Sequence, residues 1–129
     1  MLPRTKARKH ALDILHSADA LDRPALDILA TETDVVAFTR ELVEGVEANR
    51  AELDDLIRRY ADRWALERMP IVDRNLLRIG IFELLHRPDV PPAAAINEAV
   101  ELAKLLSTED SGRFVNGLLG RVAREHARA

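Results

Sequence analysis

Apolar residues recur at helical spacing in almost every segment of the chain, and no stretch alternates strictly as a half-buried strand does. The pattern predicts about seven helices. The first runs from about Pro3 to Ala18, with Ala7, Ala11, Ile14, Leu15 and Ala18 inward. Pro24 suits the first turn of a short second helix through Ala30. Thr33 or Asp34 is placed to cap a third, from Val35 to about Ala48, with Val36, Thr39, Leu42, Val43 and Val46 on one side. A fourth covers roughly Ala51 to Trp64, with Leu53, Leu56, Ile57 and Tyr60 inward. The stretch ALERMPIVDR then breaks the period, and Pro70 marks a boundary. The expected architecture is all-α: one domain over residues 1–129, built of two small packed helical bundles. The N-terminal lobe covers about 1–66 and the C-terminal lobe about 67–129.

The fifth predicted helix, about Val72 to Arg87, is apolar around its whole circumference, through Leu76, Leu77, Ile79, Ile81, Phe82, Leu84 and Leu85. A helix apolar on all sides is buried on all sides, so it is read as the central rod of the C-terminal lobe. Gly80 within it suits a close helix crossing. Pro88, Pro91 and Pro92 stop it and start a sixth helix, Ala93 to Leu106. Asp110 or Ser111 is placed to cap the seventh, which runs to about Ala127.

That last helix begins in EDSGRFVNGLLG, with three glycines, each about 1 kcal/mol poorer than alanine inside a helix. At 100° per residue, Val115, Leu118, Leu119 and Val122 gather on the core side. Gly117 and Gly120 fall opposite, with Arg113, Arg121 and Arg124, and Phe114 sits on the border. Two readings stand side by side. The glycines admit a close-packed neighbour and Phe114 is peripheral core; or Phe114 is a stacking platform and the arginines reach phosphates, as in single-strand binding.

Composition narrows the classes. Aromatic residues are 4% of the 129, so aliphatic side chains must fill the core. Cysteine is absent, which excludes disulfides and thiolate metal sites and fits a reducing compartment. No apolar run approaches a membrane span, and the N-terminus lacks the pattern of a signal peptide, so a cytoplasmic protein is expected. The net charge of −3 hides an asymmetry. Residues 1–16 hold Arg4, Lys6, Arg8 and Lys9 against Asp13, a net of +3, and the remainder carries −6. Nucleic acid would therefore be met through a local patch and not through the whole surface. The four histidines are scattered, no Gly-rich phosphate loop or nucleophile motif is present, and INEAVELAK reads as paired helix-surface charges. No catalytic site, cofactor or metal is expected; the chain reads as a binding module.

RTKARKHALDIL, VDRNLLRIGIFELLHRPDVP and AAINEAVELAKLLSTEDSGRFVNGLLGRV, in this order and spacing, resemble the NusB family of bacterial transcription antitermination factors. The resemblance covers about 125 residues and is most specific in the C-terminal half. It implies an all-helical fold and binding of boxA, a single-stranded RNA signal of rRNA leader transcripts. It also implies a partner, the small-subunit ribosomal protein NusE, and entry into the elongating RNA polymerase complex. By position it assigns RNA contact to Arg4, Lys6 and Arg8 with Asp110 and Phe114. Charge alone adds Lys9, and the wheel adds Arg113. The partner surface falls on His16 and Asp73, with Arg78 nearby. Homodimers also occur among such proteins. On this reading, Arg8→Glu abolishes RNA binding and leaves helicity intact. The rival classes are a helical dimerisation or interaction module without RNA, and the detached N-terminal domain of an rRNA cytosine methyltransferase. The second would continue into a Gly-rich cofactor-binding domain, of which the chain shows no trace.

Overall fold

The computed structural model describes residues 1–62 and 64–126. Among them stand seven α-helices and no strand: α1 Pro3–Leu21, α2 Ala25–Thr31, α3 Ala37–Ala48, α4 Arg50–Tyr60, α5 Ile71–His86, α6 Pro92–Leu106 and α7 Glu109–His126. A tight helical turn over Leu66–Arg68 joins α4 to α5. Among the described residues no helix is long and apolar enough to cross a membrane.

The central rod is α5. It packs against α1, α3, α4, α6 and α7, and its residues from Asn75 to Leu84 are all buried. Two glycines let neighbours approach it. A side chain at Gly80 would lie 2.7 Å from Leu119 Cδ1 of α7, and one at Gly45 of α3 would overlap the Phe82 ring. The remaining helices pack in sequence, α1 with α2 and α3, and α6 with α7.

Helix ends depart from expectation where polar side chains or left-handed residues intervene. α1 continues past Ala18 to Leu21, and Asp22 closes it with φ 52° while Arg23 N–H bonds back to Ala18 O at 2.9 Å. Asp34 also has a positive φ, so neither it nor Thr33 caps α3; Val36 takes the N-cap position and is 54% exposed. Phe38 fills the inward place that Val36 was expected to hold. α4 stops at Tyr60, leaving Trp64 beyond the helix. α7 begins earlier than expected, because Thr108 Oγ1 accepts the Ser111 backbone N–H at 3.0 Å. Ser111 is thus a buried first-turn residue, not the cap.

Candidate functional site

The basic start of α1 divides into inner and outer cations. Arg8 is only 5% exposed. Its Nε donates to Glu83 Oε2 at 2.9 Å, its Nη2 to Glu83 Oε1 at 2.6 Å and its Nη1 to Glu98 Oε1 at 2.9 Å. Thr5 Oγ1 donates to the same Glu98 oxygen at 2.6 Å. Every nitrogen of the Arg8 guanidinium is therefore engaged, and the expectation that it reaches phosphate is corrected: it ties α1 to α5 and α6. Phe38 of α3 carries three arginines around its ring, with Arg4, Arg8 and Arg87 at 4.4, 5.1 and 5.0 Å from the centroid. Arg4 stays half-exposed and pairs with Asp89 at 3.2 Å. The hydrogen bond from Arg87, with Arg4 adding to it, holds the Asp89 carboxyl well below the usual carboxylate range.

Lys6 is exposed at a groove of about 330 Å³ between the starts of α1 and α3, beside Met1, His10 and Val36. Lys9 pairs with Asp13 one turn on, at 3.1 Å. Arg4, Lys6 and Lys9 are thus the cations of this segment that reach solvent.

The start of α7 forms a second group. Asp110 and Arg113, both exposed, pair with each other. Phe114 is half-buried: it packs against the core and meets the Trp64 ring edge-on, with centroids 4.6 Å apart. Phe114 has one side in the core and one on a groove of about 380 Å³. Tyr60, Gly117, Arg121 and Arg124 also line that groove. Arg121 lies over the Tyr60 ring, 4.9 Å from its centroid, and 3.7 Å from Asp62. A side chain at Gly117 would meet nothing within 4 Å. No hydrogen bond, ion pair or ring contact joins this group to Arg4, Lys6 or Lys9 among the described residues. The link between the two is α6, whose Glu98 holds α1 and whose Lys104 side chain lies over Gly112 of α7.

The three residues placed on a partner surface separate sharply. His16 is half-buried on α1. Asp73 and Arg78 are buried, and the expectation that they meet a partner directly is corrected. Ser111 Oγ donates to Asp73 Oδ2 at 2.6 Å, fixing the start of α7 to the start of α5, while Asp73 Oδ1 has no partner. Arg78 donates to Asp54 Oδ1 at 2.8 Å and to Asp19 Oδ2 at 3.0 Å. Arg50, Arg74 and Asn75 also donate to Asp19. Burial alone would raise the Asp19 pKa; the bonds from Arg50, Asn75 and Arg74 overcome it and hold the carboxyl far below its ordinary value.

Apolar periodicity could not reveal this network, but another signal could. Asp73, Asn75, Arg78 and Glu83 interrupt a helix that is otherwise apolar all round, and buried charges of that kind require partners. The contact of Trp64 with Phe114 was missed because the helical pattern was carried through Trp64.

Helical packing around one buried rod defines an all-α protein. Residues 5–124 match the NusB family, and the chain belongs to it. It is 53% identical to the transcription antitermination protein NusB of Saccharopolyspora erythraea, over 93% of this chain and 86% of that one. The NusB structure from T. maritima superposes with a TM-score of 0.89 at 37% identity, covering 98% of this chain and 94% of that one. A chain in a crystal structure of the antitermination factors NusB and NusE with double-stranded RNA shares the fold, with a TM-score of 0.84 at 24% identity over 95% of this chain and 97% of that one.

Proposed function

We propose that this chain is an RNA-binding transcription antitermination factor. It binds boxA-type single-stranded RNA of rRNA leader transcripts together with NusE, and enters the elongating RNA polymerase complex in the cytoplasm. Its action is recognition without catalysis. Family membership across residues 5–124 is the observation that carries the reading. The exposed cations Arg4, Lys6 and Lys9, with Asp110, Arg113 and Phe114, are the RNA contacts; Arg8 positions α1 from inside. His16 is the partner-facing residue of α1; Asp73 fixes the start of α7 to the start of α5, and Arg78 ties α5 to α4 and to the end of α1.

Fluorescence anisotropy with a boxA-type RNA and a scrambled control, at two salt concentrations and with and without NusE, tests this. Preferential binding that strengthens with NusE is expected. Equal, weak and salt-sensitive binding to both RNAs would reduce the basic segment to a nonspecific electrostatic surface.

A further inference from the structure

Gly117 carries a helix penalty for which the fold gives no return. Gly80 and Gly45 are required by the close approach of Leu119 and Phe82, whereas a methyl group at Gly117 would enter open space. What keeps the backbone bare must therefore approach from outside. The groove above it is large enough for a small planar group and is lined by Tyr60 and Phe114 together with Arg113, Arg121 and Arg124. Trp64, 37% exposed, backs Phe114. Asp62 neutralises part of the Arg121 charge, and Arg124, which is exposed, has no ion pair among the described residues.

We propose that this groove seats one unstacked base of the bound RNA. The base lies against the bare backbone at Gly117, beside Phe114, and Arg121 and Arg124 take the adjoining phosphates. The combination of aromatic faces with basic side chains at an open surface is the chemistry of single-strand binding. The inference rests on the RNA-binding reading and extends the RNA path from Asp110 and Phe114 along α7 to the end of α4.

Trp64 is the only tryptophan in the sequence and its ring meets that of Phe114, so its emission reports on the aromatic ring that lines the groove. A boxA-type RNA is titrated into the full chain and into Gly117→Ala, Gly117→Leu and Arg124→Gln, reading anisotropy, tryptophan emission and melting temperature. NusE affinity is measured in parallel by calorimetry. The RNA is expected to quench Trp64 over the same concentrations that raise anisotropy. Gly117→Leu should lose affinity by about 5- to 150-fold, the span of one stacked base, and lose the quench. Gly117→Ala should weaken binding less and melt no lower than the parent; if the leucine variant is unstable, the alanine variant decides. Arg124→Gln should weaken binding and lower its salt dependence. If the parent binds RNA without quenching and Gly117→Leu binds as well, the groove assignment is wrong and the RNA reading stands. If the parent shows no preference for boxA RNA, both fall. RNA affinity retained in Gly117→Leu with NusE affinity lost would assign the groove to a protein and overturn the proposal.

Discussion

Lys6 and Arg8 stand two positions apart on α1, and the structure separates what their charges do. Lys6 faces solvent; Arg8 neutralises Glu83, which is buried, and grips Glu98. Removing one partner of such a pair leaves an uncompensated buried charge, so Arg8→Ala should destabilise the fold by about 3–5 kcal/mol in urea unfolding. Arg8→Glu would place a third carboxylate against Glu83 and Glu98. The sequence-based expectation of intact helicity is therefore reversed, and a loss of the helical circular dichroism signal is expected. Lys6→Ala should melt as the parent does. It should lower the salt dependence of RNA binding by about 0.7 in the log–log slope, the contribution of one phosphate contact to a single strand. Charge alone could not divide these residues, because a run of four basic positions near a helix start says nothing of which way each side chain points.

At the scale of elements, α7 is held at its first turn by hydroxyls. Thr108 caps it, and Ser111 reaches from it to Asp73 on α5. Asp73 Oδ1 is already without a partner, so Ser111→Ala would leave both oxygens of a buried carboxylate unpaired. The expected loss is about 1–3 kcal/mol by thermal or urea unfolding, and it should be smaller in a Ser111→Thr variant that retains the hydroxyl. Apolar periodicity placed every helix and identified α5 as the rod, since hydrophobic spacing is imposed by burial along each element. It failed at the ends, where the deciding interactions are local hydrogen bonds and left-handed residues such as Asp22 and Asp34. It also failed for Asp73 and Arg78, whose partners lie far away in sequence, in Ser111 on one side and Asp19 and Asp54 on the other. The surface character of Phe114 and the glycine-bearing face of α7 was legible, because a helical wheel distinguishes core from rim; the packing of Trp64 on Phe114 was not, because Trp64 lies beyond the helix.

Across the whole molecule, Asp19 is the point at which α1, α4 and α5 are tied, through Arg50, Arg74, Asn75 and Arg78. In the unfolded chain its carboxyl titrates near the ordinary value of about 4, while in the folded chain it stays charged to much lower pH. Its stabilisation is thus complete above that ordinary value and is lost progressively as pH falls below about 4 toward the depressed folded value. Acid unfolding followed by circular dichroism should show this loss, and Asp19→Asn should be less stable at neutral pH and less sensitive to acid in that window. The anchoring of α1 by Arg8 has a further thermodynamic consequence. The basic helix proposed to meet RNA is already ordered, so on the protein side little conformational entropy remains to be lost on association. The heat capacity change of binding should accordingly be small and should reflect the RNA strand more than the protein, unlike that of a basic arm that folds as it binds.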